Sequence, residues 1–396
     1  MAYQETTKTS YGKRLGNSLG GISSGIALII GATILLGWNE GRAVKTAKML
    51  KNAEKEFVEM QNPATVDPSL EGKLVHAVAV AKTADTLSDP DFPVKENAVR
   101  IQRNVEYYQY VEHSESVTKD KVGGSQETTT TYTYEKQWTS SPVNSADFKD
   151  KAYADKNTVS TKIEEFDSQA ENVSFGAYRL TPSMAGVFSC NIPVELPAEL
   201  AQDSTVHVTH NVLYYGKNPD APEIGDVRVT FTKSAAEGEV SILAKVVGDT
   251  FEAYTSNGKN LCTIKAGAHS AESMFEAKKG ANKSMLWAFR ILGILLAIGG
   301  FRSIFSIIET LFKVLPFLAN IVGLGTGLVS KVLGVIWSLI VILIAWIAYR
   351  PALAIGLLAA AVALFVWLIV KGKKKAQEAP QPAVEEPDKE EVKPEA

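Results

Sequence analysis

The chain has 396 residues, 45% hydrophobic and 21% charged, with a formal net charge of −3 and a mean hydropathy of −0.01. Such averages exclude a disordered chain, a collagen and a disulfide-stapled miniprotein. Cys190 and Cys262, the two cysteines, cannot build a thiolate metal cluster, and five histidines leave little for a metal enzyme. Near-neutral charge argues against a dedicated nucleic-acid binder.

Taken in chain order, residues 1–15 form a short N-terminal segment. Leu19 to Trp38 carry no charge, which is enough chain to cross ~30 Å of hydrocarbon as a helix. A cleaved signal peptide has a shorter apolar region, ~7–15 residues, and ends at a small-residue cleavage site. Here the apolar stretch runs instead into Trp38-Asn39-Glu40-Gly41-Arg42. Residues 16–38 are therefore expected to be a retained transmembrane helix. In 39–60, Val44, Ala47, Leu50, Ala53, Phe57 and Val58 recur at three- and four-residue spacing, with lysines and glutamates between them. That pattern predicts an amphipathic helix continuing out of the membrane.

Residues 61–280 have period two. Val227, Val229 and Phe231 alternate with polar residues, as do Val240, Ile242, Ala244 and Val246. Val206, Val208, Val212 and Tyr214 share one parity, and Tyr132, Tyr134 and Trp138 share a face of a Thr-rich run. Strict alternation argues half-buried strands. Gly123-Gly124 separates the Val99–Val111 run from Thr129–Trp138, which predicts a β-hairpin. The region is large enough for its own core.

From Ser284 to Val370 the only charges are Arg290, Arg302, Glu309, Lys313, Lys331 and Arg350. Residues 284–301 make a second span if Arg290 snorkels to the interface. Residues 303–330 read as an amphipathic interfacial or re-entrant segment, and 332–349 and 351–370 as the third and fourth spans. A lysine cluster and a Pro/Glu-rich run make up 371–396, a composition that cannot fold alone. The fold class expected is an α+β integral membrane protein: four transmembrane helices, one N-terminal and three C-terminal, with a β-rich extramembrane domain inserted between the first and second. Lysines and arginines flank both ends of the spans, but long translocated domains tolerate positive charge better than short loops do. Cytoplasmic termini follow, with the domain on the far side.

Several of these residues resemble the transmembrane protein 43 (LUMA) family. Asn39-Glu40-Gly41-Arg42-Ala43 follows the first span, and Leu87-Ser88-Asp89-Pro90 precedes Val105-Glu106-Tyr107-Tyr108-Gln109-Tyr110-Val111-Glu112. Tyr132-Thr133-Tyr134 leads to Trp138, and Pro222-Glu223-Ile224-Gly225-Asp226-Val227-Arg228-Val229 comes later. Trp287 with Arg290, then Tyr349-Arg350-Pro351, complete the series. Order and spacing over roughly residues 15–371 carry the resemblance; the acidic tail departs from it. The resemblance implies four spans, cytoplasmic termini, and a domain in the lumen of the endoplasmic reticulum or, in bacteria, outside the inner membrane. Eukaryotic members sit in the endoplasmic reticulum and inner nuclear membrane and are thought to oligomerise and organise complexes with lamins and emerin. It implies no enzymatic activity, no cofactor and no catalytic residues.

Short motifs add little chemistry. Gly21-Ile22-Ser23-Ser24-Gly25 matches G-x-S-x-G, which needs a strand–turn–helix context, yet it sits inside a predicted span. Gly16, Gly20 or Gly21, and Gly25 fall at the four-residue spacing that lets helix backbones approach. His207 and His210 point opposite ways on a strand, so no metal site is expected. Glu309 and Lys313 are one helical turn apart, in the favourable order, on a stripe suited to an interfacial helix. Arg350 sits at a loop tip among headgroups, where it fixes the depth of the hairpin or meets lipid phosphate. Asn172 and Asn282 open chance-prone glycosylation sequons. The reading that fits these features is a non-enzymatic membrane scaffold that oligomerises within the bilayer, binds other membrane or envelope proteins and binds no nucleic acid. The alternative is a small transporter or channel of oligomerised C-terminal helices, motivated by Arg290, Glu309 and Lys313.

Overall fold

The computed structural model describes residues 3–201, 204–314, 316–352 and 355–356. Three helices dominate it: α1 (Tyr11–Glu56), α2 (Ala271–Phe312) and α3 (Pro316–Tyr349). Each has a segment long and apolar enough to cross a membrane. Their exposed side chains include Ile30, Ile34, Ile291, Leu295, Leu324 and Ile344. A surface of that kind needs lipid rather than water around it. The predicted fourth span, 351–370, lies outside the described residues apart from its first few positions.

The first span and the amphipathic segment after it are one 46-residue helix, because nothing between Trp38 and Ala43 breaks helical geometry. Ser10 caps its start, accepting from the Lys13 amide. Beyond the span, Met49, Leu50 and Ala53 of α1 bury against Met274 and Phe275 of α2 and Leu74, Leu243 and Leu261 of the domain. This cluster fixes the β domain onto the base of the helix pair.

The domain holds two main sheets. In one, Leu74–Thr83 pairs antiparallel with Glu237–Val247, setting Val240 opposite Ala79, Ile242 opposite Ala77 and Ala244 opposite Val75. These join Phe175, Tyr178 and Phe251 in the largest core. In the other, Val227–Lys233 lies between Val212–Tyr215 and Arg100–Asp120, and Val105, Leu213, Val227, Val229 and Phe231 bury together. The alternation of the sequence is the alternation of these inward faces.

The predicted hairpin is present but longer than its apolar signal. Arg100–Asp120 pairs with Gln126–Thr139 over the whole stretch from Tyr107↔Thr139 to Asp120↔Gln126. Its outer half projects as an arm. Residues 1–15, expected to lie apart from the domain, supply a third strand: Tyr3–Thr9 pairs with Gln126–Tyr132. No apolar face signals this strand, because Gln4, Thr6 and Lys8 alternate with Glu5 and Thr7.

The arm tip reaches the N-terminal end of α1. Arg14 lies 2.8 Å from Asp120 and donates to the Gly124 carbonyl at 2.9 Å. The Gly123 amide donates to Val314 at the turn after α2. From Tyr107 to Asp120 an extended strand covers ~43 Å, and α1 from Arg14 to Gly41 covers ~40 Å. The arm therefore matches the apolar length of the bundle.

The segment 303–330, expected as a separate interfacial or re-entrant piece, is divided between two helices. Residues 303–312 complete α2, a turn follows at Lys313, and Pro316 opens α3. Proline fits that position because a first-turn N–H has no helical partner.

Candidate functional site

At the domain-proximal end of the bundle the three helices meet around buried polar groups. Two residues past Trp38, Glu40 is completely buried. Its Oε1 accepts from Arg290 Nε of α2 at 2.6 Å, and its Oε2 accepts from Trp346 Nε1 of α3 at 2.9 Å. The Arg290 guanidinium lies 5.0 Å from the Trp287 ring and 5.6 Å from the Trp346 ring. Such a buried pair is tolerable only when further hydrogen bonds and cation–π contacts replace lost water. One group is left over: Arg290 Nη2 is buried with no acceptor.

Neighbouring residues extend the cluster. Asn39 Nδ2 donates to the Leu286 carbonyl at 3.0 Å, and Arg42 donates to Asn39 Oδ1 and Asn282 Oδ1, each at 3.2 Å. Asn282 Nδ2 closes the circuit on the Ala43 carbonyl at 3.0 Å. Gly41 lies against α3: a Cβ there would lie 2.7 Å from Cζ of Tyr349, and the ring would have to shift. Trp38, Trp287, Trp346 and Tyr349 thus ring one level of the bundle, as aromatic belts do at a membrane–water interface.

Just outside this belt lies a cleft of about 650 Å³ between α1 and α2, with Arg290, Trp287 and Leu286 among its lining and Lys51, Lys283 and Arg350 contributing charge. Lys279, also on the cleft, is held by Glu54 and Glu276 at 2.9 Å each. Among the described residues no three His, Cys, Asp or Glu side chains come together as a metal site.

The sequence-predicted residues scatter. Arg290 does not snorkel outward; it turns inward to Glu40, where the pair is shielded by two tryptophans. Glu309 and Lys313 do not pair. Thr326 of α3 donates to Glu309 at 2.5 Å, and Lys313, beyond the end of α2, lies 3.9 Å from Asp120 of the arm. Of the glycines, Gly25 presses on α2: a Cβ there would lie 2.6 Å from the Gly300 carbonyl oxygen. Gly21 makes ordinary contact with Ser303, while Gly16 and Gly20 face open space. Ser23, the serine of the G-x-S-x-G match, lies inside α1, without the strand and turn of a nucleophile elbow. His207 lies on the strand Val206–Thr209 and meets the Lys217 carbonyl, and His210 is in the following turn at φ +51°.

Glu40 as the partner of Arg290 escaped the sequence reading. One signal was available: each stands two or three residues after an interfacial tryptophan, Trp38 and Trp287, which puts both at one depth.

Comparison with known proteins agrees with this architecture. A family model described as Transmembrane protein 43 matches residues 107–351. The mouse (Mus musculus) protein named Transmembrane protein 43 is 31% identical over 363 residues, covering 88% of this chain and 89% of its own. The rat (Rattus norvegicus) protein is 30% identical, covering 86% and 87%, and the Drosophila melanogaster homolog 29%, covering 87% and 92%. No solved structure matches significantly. With a family model over more than half its length and relatives aligned nearly end to end, the chain belongs to the transmembrane protein 43 family.

Proposed function

We propose that this protein is a non-enzymatic, multi-pass membrane scaffold that self-associates and holds its β domain at one membrane face to organise other membrane proteins. The observation that carries the proposal is the arm. Both of its outer edges, Tyr3–Thr9 and the outer half of Arg100–Asp120, lack a further strand among the described residues. Open sheet edges cannot face hydrocarbon. An arm as long as the apolar helices it accompanies therefore calls for protein cover, which further copies of the chain provide. Cytoplasmic termini, and a bacterial inner membrane or a eukaryotic endoplasmic reticulum and nuclear envelope, belong to the same proposal, with lamins and emerin as partners only in a eukaryote. The channel alternative loses part of its motive, since Glu309 is taken up by Thr326 and Lys313 lies near the arm tip. Cross-linking of the full chain in its native membrane tests the proposal: dimers or higher species with recurrent partners are expected, and monomers alone overturn it.

A further inference from the structure

We propose that the cleft between α1 and α2, immediately outside the aromatic belt, binds the phosphate headgroup of an anionic membrane lipid. Three cations on the cleft, Lys51, Lys283 and Arg350, have no acidic partner among the described residues. Lys279, by contrast, is already neutralised by Glu54 and Glu276. The second observation is Arg290: it lines the same cleft, is 8% exposed, and has a buried Nη2 with no acceptor in the protein. Glu40 takes Nε and Trp346 fills the other carboxylate oxygen, so the guanidinium is fixed at the inner wall of the cleft, with Nη2 closed off from solvent. A phosphate offers acceptor oxygens and negative charge to the unpaired Lys51, Lys283 and Arg350 around the opening.

The lipid source follows from what lies below. Lys283, Trp287, Ile291 and Leu295 stand at four-residue intervals on α2, and so form one stripe. Trp287, Ile291 and Leu295 are more than half exposed. The stripe descends from a cation through the interfacial tryptophan to bare aliphatic surface. A diacyl phospholipid matches it: phosphate in the cleft, acyl chain along Ile291 and Leu295. Free phosphate would make no use of the lower half. Basic pockets between transmembrane helices bind anionic headgroups in this way.

The test uses the full-length protein in mild detergent, with bound lipid read by native mass spectrometry against dioleoyl phosphatidic acid and dioleoyl phosphatidylcholine. Retention of phosphatidic acid at least tenfold over phosphatidylcholine is expected. The triple variant Lys51→Gln, Lys283→Gln, Arg350→Gln, whose side chains have no acidic partner, is expected to lose that preference at unchanged melting temperature. A second variant, Ile291→Ser with Leu295→Ser, is expected to weaken phosphatidic acid several-fold. Equal retention of both lipids, or full retention by the triple variant, overturns the proposal. So does displacement of the lipid by millimolar inorganic phosphate with the serine variant unaffected, which would assign the cleft to free phosphate.

Discussion

Glu40 of α1 and Arg290 of α2 form an ion pair at 2.6 Å, with Glu40 completely buried. The pair joins two helices 250 residues apart in sequence, and Trp346 ties the third helix to the same carboxylate. Removing one partner strands a buried charge. Arg290→Met is expected to destabilise the protein by about 3–5 kcal/mol, read as a lower melting temperature and reduced recovery from membranes. Glu40→Gln with Arg290→Met together should cost less than Arg290→Met alone. A double variant as unstable as the sum of its parts would show that the two act separately.

Gly25 and Gly300 bring the backbones of α1 and α2 into contact. Gly25→Leu forces the helices apart and is expected to cost at least about 1–3 kcal/mol, the usual penalty of overpacking. Gly16→Ala and Gly20→Ala meet open space and are expected to leave the melting temperature within a few degrees of the parent. The contrast within one helix is the check. If all three behave alike, Gly25 is not a packing contact.

Arg14 holds the arm tip. Its Nη1 lies 2.8 Å from Asp120 and donates to the Gly124 carbonyl. Arg14→Ala should free the tip, so that the Lys119–Lys121 region becomes several-fold more sensitive to trypsin in membrane preparations while the two domain sheets stay resistant. An unchanged cleavage rate would mean that the tip is held without Arg14, by the strand Tyr3–Thr9 and the Gly123–Val314 hydrogen bond.

Acid stability should depend on Asp167. Arg100 lies beside it, and the hydrogen bond from that guanidinium holds the carboxyl below its ordinary value of 3.8. A carboxyl with a lowered folded-state pKa stabilises the fold above the unfolded value, and the contribution is lost as pH falls through the folded value. The contribution is therefore present at neutral pH and fades below about pH 4. Asp167→Asn should lower the melting temperature slightly at pH 7 and flatten its fall between pH 5 and pH 3. The side chain is half exposed, so the change is small.

Local pattern accounts for much of the architecture. Uncharged length marked the first span, period two marked Val227–Lys233 and Glu237–Val247, and Gly123-Gly124 marked the hairpin. Each is a property of neighbouring residues, because burial on one face repeats with the geometry of the element itself. The candidate site was legible only as single residues. Arg290, Arg350 and Asn39-Glu40-Gly41-Arg42 stood out in the chain, but not which of them meet.

The amino-acid sequence by itself determined that this is a membrane protein of the transmembrane protein 43 family, with apolar helices on either side of a β-rich domain. Only the tertiary structure decided that Glu40 takes Arg290, that Glu309 takes Thr326 instead of Lys313, that Gly25 rather than Gly16 touches α2, and that Tyr3–Thr9 joins the arm. The physical reason is common to all four. Hydropathy fixes how a segment partitions between water, core and lipid. Hydrogen-bond and charge partners are fixed by the depth and rotation at which distant segments are packed, and the linear order of residues does not carry those coordinates.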